Sequence, residues 1–156
     1  MRSKKSYFPV DTTAPSTLVA SIERRVRFEE VDTLRMVWHG RYPSYLEDGR
    51  IAFGDKYGLS YQAFIQHQTA APVVQMHLDY LLPLRFDELF TIEAALHWTD
   101  SARLNFSYRL INDEGQTTAK GYTVQLLTDT RGEMLLIVPE WIKEFRDRWQ
   151  AGEWHR

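Results

Sequence analysis

The sequence predicts an α+β domain: an antiparallel sheet of about five to six strands wrapped around one long central helix, with a second helix at the C-terminus. Three observations carry this. After Pro72 the apolar period changes from helical spacing to two and stays there through a run of strands up to the last helix; a single long helical stretch precedes the change. The chain of 156 residues is 44% hydrophobic and 13% aromatic, enough for one core and too short for two ordinary domains. A lone helix covers a large sheet only if the sheet curls around it, and the bare outer face and edges then favour self-association.

Ala20, Ile22, Val26 and Phe28 alternate over residues 19–29, with Arg24 the polar break, and predict the first strand. Tyr42, Tyr45, Leu46, Gly49, Ala52, Phe53 and Tyr57 then recur at helical spacing, with Pro43 in the first turn and Gly58 placed to stop the helix. Gly49 and Gly54 each cost about 1 kcal/mol of helix propensity relative to alanine. That cost predicts that this face lies close against a sheet. Residues 59–69 read as a short helical turn and loop.

Three alternating sets follow: Val74 to Leu82, Phe90 to Trp98 and Leu104 to Leu110. Asn112-Asp-Glu-Gly115 is a turn, Tyr122, Val124 and Leu126 mark another strand, and Asp129-Thr-Arg-Gly132 turns the chain into a further extended run, Met134 to Val138. Pro139 opens the last helix, with Ile142, Phe145 and Trp149 on one face. The domain is expected over residues 19–150, preceded by a mobile leader at 1–18 and followed by a tail at 151–156.

A formal charge of -2 offers no concentrated basic surface, so nucleic acid is not an expected partner. The chain has no cysteine, which excludes thiolate metal sites and a cysteine nucleophile and leaves carboxylate, hydroxyl, histidine or lysine chemistry. Its five histidines, at 39, 67, 77, 97 and 155, have no close metal-ligand spacing, so metal binding is not expected. The basic start is followed by Asp11, Thr12, Thr13, Pro15 and Ser16 where a secretory signal needs an apolar run, and no stretch approaches about 20 apolar residues, so a cytoplasmic protein without a membrane span is expected.

Asp32 is the most informative residue. It stands seven positions before His39, just ahead of the expected helix start, where unpaired N–H groups and the positive dipole end polarise a carbonyl while a carboxylate drives attack on it. A plain Asx-turn or N-cap role also suits Asp32, and a packed or capping role suits the His39 ring. Glu47 and Arg50, three apart, have an exposed helical ion pair as their ordinary reading. Ser44 with His39 and Asp32 makes no serine triad, because the Gly-x-Ser-x-Gly turn is absent.

Asp32, Arg35, Met36, Val37, Trp38, His39, Tyr42, Glu47 and Arg50 together resemble the opening motif of the hotdog-fold thioesterases of the 4-hydroxybenzoyl-CoA thioesterase-like family. Tyr80, Pro83 and Asp87 match a second family pattern, and the likeness covers roughly residues 20 to 145. The resemblance implies a hotdog fold and an acyl-CoA thioesterase acting as a homodimer or homotetramer with interfacial active sites and with no metal or bound cofactor required. It implies Asp32 as nucleophile or general base and the His39 backbone N–H as oxyanion donor, with Trp38, Tyr42, Glu47, Arg50 and Arg35 as substrate-binding positions. Arg35 stands where the family has glycine, so an altered loop, or an ion pair that lowers the Asp32 pKa, is one expectation. The alternatives are a non-catalytic hotdog acyl-binding protein silenced by Arg35, an acyl-carrier-protein thioesterase, and a hotdog hydratase using His39 with Glu47.

Overall fold

The computed structural model describes residues 6–155. Strand β1 (Leu18–Arg25) leads through two 3-10 turns into helix α1 (Tyr42–Tyr57) and short helix α2 (Tyr61–Gln66). Strands β2 (Val73–Tyr80), β3 (Leu89–His97), β4 (Arg103–Asn112) and β5 (Thr117–Leu126) follow, and helix α3 (Glu140–Gln150) closes the order. The five strands form one sheet in the order β1-β3-β4-β5-β2, with every pairing antiparallel. Wrapped around α1, it is the expected hotdog architecture.

Period-two alternation supplies the core. Phe90, Ile92, Ala94 and Leu96 of β3 and Leu104, Phe106, Tyr108 and Leu110 of β4 point inward and are buried. Leu46, Gly49, Phe53 and Tyr57 of α1 meet them, and Phe53 sits edge-on to Phe106 with ring centroids 5.0 Å apart. Such a pair contributes about 0.5–1.5 kcal/mol beyond its burial. Gly49 lies on the sheet as expected: a Cβ there would stand 2.8 Å from the Ile92 Cγ2 methyl. Gly54 does not. Its missing Cβ makes room for the backbone of Leu59, whose carbonyl oxygen would be 2.7 Å away, so this glycine serves the turn out of the helix. Gly58 ends α1 at φ 82°.

Three segments differ from the sequence reading or extend it. β1 stops at Arg25: the Val26 N–H still donates to the Glu88 carbonyl and its carbonyl accepts from Asp87, and Phe28 then enters a 3-10 turn 80% exposed. Met134 to Val138 forms no strand. Both edges of β5 are already taken by β4 and β2, so only Met134 bridges back to Thr128 before the chain leaves, with Leu136 91% exposed. Residues 1–5 of the expected leader lie outside the described residues, but Tyr7 and Phe8 are laid on the outer face of the sheet. The Tyr7 hydroxyl donates to Asp79 at 2.6 Å, and Phe8 stacks beside His97 and Tyr122.

The two sheet edges are unlike. The Val19 carbonyl on β1 accepts from the Tyr57 hydroxyl and the Lys56 ammonium, so the end of α1 closes over that edge. β2 has β5 on one side and no strand on the other, and Val73, Val74, Met76 and Tyr80 stay half exposed along it.

Candidate active site

The residues between β1 and α1 fold into a small hairpin. Val31 bridges Val37, the Asp32 N–H donates to the Met36 carbonyl at 2.9 Å, and the Arg35 N–H donates to the Asp32 carbonyl at 3.0 Å. A three-residue loop of this kind ends on a residue in the left-handed region, and Arg35 adopts φ 61°. The backbone that glycine would supply is therefore kept by an arginine at a conformational cost. Among the described residues no ion pair joins Arg35 to Asp32; Arg35 is exposed and its carbonyl accepts from Phe86.

Backbone bonds from Val37 to Leu84 and from Trp38 to Glu30 tie the hairpin's second arm to the chain on both sides, which sets its height against α1. One Asp32 oxygen, Oδ1, accepts from the Leu34 N–H at 2.8 Å, and Oδ2 takes no partner among the described residues. The Asx turn expected as the plain reading is thus present, and it aims the carboxylate while leaving one oxygen free.

A 3-10 turn, His39–Arg41, leads straight into α1. Its first bond runs from the Arg41 N–H to the Trp38 carbonyl, and the His39 and Gly40 N–H groups donate to nothing among the described residues. Asp32, Met36, Val37, His39, Tyr42 and Tyr80 line one open cleft of about 330 Å³. Tyr42 is buried, and burial first, then the neighbouring Tyr80, pushes its hydroxyl up to about 12; it stays protonated across the neutral range. Trp38 is half exposed, with its indole over Gly40.

The remaining candidates lie elsewhere. Glu47 and Arg50 line a separate, narrow pocket between α1, α2 and the β2–β5 seam, and no ion pair joins them among the described residues. Glu47 is exposed, whereas Arg50 is only 3% exposed: it donates to the Gln125 side chain at 3.0 Å and the Leu59 carbonyl at 2.8 Å, with its guanidinium over Phe106. Burial lowers its pKa from the ordinary value. Arg50 sits inside the fold, away from the Asp32 cleft. Tyr80, with Leu81 and Leu82, also lines the cleft and was not among the site residues expected from the sequence; its signal was the second motif, spaced to Pro83 and Asp87.

Residues 26–145 match the family described as the thioesterase-like superfamily. The chain belongs to that family. It is 28% identical to an acyl-CoA thioester hydrolase of Escherichia coli over 58% of this chain and 67% of that protein. It is 29% identical to a chloroplastic acyl-acyl carrier protein thioesterase of Arabidopsis thaliana over 67% of this chain, and spans 57% of that protein's length. Among solved structures, the DHNA-CoA thioesterase of Staphylococcus aureus superposes with a TM-score of 0.76 at 20% identity, covering 86% of this chain and 93% of that one, a likeness of fold. This member of the thioesterase-like superfamily is a thioester hydrolase.

Proposed function

We propose that this thioesterase hydrolyses an acyl-CoA thioester at the Asp32 cleft, yielding the free acid and CoA. The observation that carries the reading is the convergence, in one cleft, of a carboxylate with a free oxygen and the unpaired N–H of His39 at the start of α1. As general base, Asp32 takes a proton from a water whose oxygen attacks the thioester carbon. The carbonyl electrons move onto oxygen, where the His39 N–H and the α1 dipole hold the negative charge. Collapse breaks the C–S bond, and CoA leaves as a thiolate that needs no strong general acid. As nucleophile, Asp32 instead bonds to the carbonyl carbon, the C–S bond breaks as CoA leaves as the thiolate, and water cleaves the resulting anhydride to release the acid and restore the Asp32 carboxylate.

The acyl-binding alternative rests on Arg35 disabling the loop. Its φ of 61° supports catalysis instead, since the loop path keeps the shape a glycine would give it. An acyl-carrier-protein substrate draws support from the Arabidopsis relative and shares the same chemistry at the carbonyl. The working form is a homodimer or dimer of dimers, with β2 the edge left for a partner.

Thiol release from a panel of short, medium, long and aromatic acyl-CoAs tests this, with no cysteine in the protein to add background. Wild type turns over at least one substrate, and folded Asp32→Ala loses roughly a hundredfold or more in kcat. A wild type inert on both CoA and acyl-carrier-protein thioesters sinks the reading.

A further inference from the structure

The N–H groups at the start of α1 belong to a segment with little of its own to hold it. Gly40 lets the Trp38 indole lie directly over it, and a glycine leaves the peptides on either side freer to turn. The helical restraint at this point is the short i→i+3 kind of the 3-10 turn His39–Arg41, which gives the His39 carbonyl the Tyr42 N–H and no more. Carried as an α-helix, the chain would hold the His39 carbonyl with an N–H from residue 43, and residue 43 is proline, which has none. The Tyr80 hydroxyl supplies a second donor to that carbonyl. It reaches across from the end of β2 and donates to the His39 carbonyl at 2.7 Å. Its ring is braced edge-on against buried Tyr42 with centroids 4.8 Å apart.

We propose that Tyr80 is a positioning residue for the thioester reaction: its hydroxyl clamps the His39–Gly40 peptide and, through the His39 Cα, steadies the adjoining His39 N–H that faces the developing oxyanion. This rests on the oxyanion role given above to the start of α1. The bond fixes the plane of one peptide, and His39 and Gly40 are the residues that join it to its neighbours. Donation to the carbonyl also polarises the same amide, making the Gly40 N–H a stronger donor. The clamp comes from the edge strand, so whatever seats on β2 also bears on the oxyanion turn.

The experiment pairs kinetics with a spectroscopic signature. Tyr80→Phe keeps the ring against Tyr42 and removes only the hydroxyl. Its kcat on the best acyl-CoA falls roughly tenfold, with KM moving less than about twofold, since the lost order matters most in the transition state. Pro43→Ala restores an N–H at residue 43. The double variant Tyr80→Phe/Pro43→Ala recovers most of the lost kcat relative to Pro43→Ala alone, which a merely structural role of the tyrosine would not produce. With ¹⁵N-glycine labelling, the chain's eight glycines give a sparse spectrum in which the Gly40 amide shifts in Tyr80→Phe and returns in the double variant. A folded Tyr80→Phe with wild-type kcat overturns the proposal, as does an unmoved Gly40 amide. A wild type that cleaves no thioester overturns the proposed function instead, a failure told apart because it appears before any variant is compared.

Discussion

Arg35 shows what one residue's backbone costs. The sequence placed it at a glycine position, and the structure gives it the left-handed backbone that position demands, φ 61°, as the last residue of the Asp32 loop. An L-residue with a branched-off Cβ pays about 1 kcal/mol there that glycine does not. Arg35→Gly is therefore expected to raise unfolding free energy by about 0.5–1 kcal/mol, read from urea denaturation, with activity kept because the loop path is unchanged. A loss of stability would mean that the arginine side chain makes a compensating contact. Asp32, His39 and Tyr42 were legible because the motif lies within a few residues of chain. The role of Tyr80 was not, because its bond to His39 spans 41 positions of chain.

Among the elements, α1 was read correctly in extent and only partly in facing. Spacing three apart suggested a Glu47–Arg50 surface pair, yet Arg50 falls four after Leu46 and three before Phe53, squarely on the buried stripe. A long apolar stem and three aromatic rings around the guanidinium let the core accept it. The same stripe holds Gly49, where helix propensity and packing oppose each other. Alanine would gain about 1 kcal/mol of propensity, but its Cβ would meet the fully buried Ile92 methyl at 2.8 Å. Ile92 is β-branched and enclosed, so it has no rotamer to yield. Overpacking costs about 1–3 kcal/mol. Gly49→Ala should therefore lower the thermal midpoint by several degrees in calorimetry; an unchanged or raised midpoint would show that α1 can lift off the sheet cheaply.

For the whole molecule, the question is what lies on β2. The fold was legible because each strand carries its own alternation, but alternation says nothing about which edge is left open. β1 and β2 look alike as sequences, and only the folded chain brings Tyr57 and Lys56 onto the Val19 carbonyl to close β1. On β2, Val74, Met76 and Tyr80 are about half exposed, with Leu81 and Leu82 continuing the apolar run, because one helix cannot reach across to the sheet's last strand. An open edge flanked by apolar side chains is a template for pairing, and a second copy meets it with the same row of groups around a twofold axis. The outer face is less available, since Tyr7 and Phe8 already lie on it. Sedimentation velocity should then give a dimer at micromolar concentration. Val74→Lys/Met76→Lys, which sets like charges opposite one another across such an axis, should weaken it on the order of a hundredfold. Since Tyr80 ends this strand and holds the His39 carbonyl, the separated subunits should also lose kcat while remaining folded. A wild type that sediments as a monomer at tens of micromolar would remove β2 as the assembly edge, and full activity in a monomeric double variant would show that the cleft is complete within one chain.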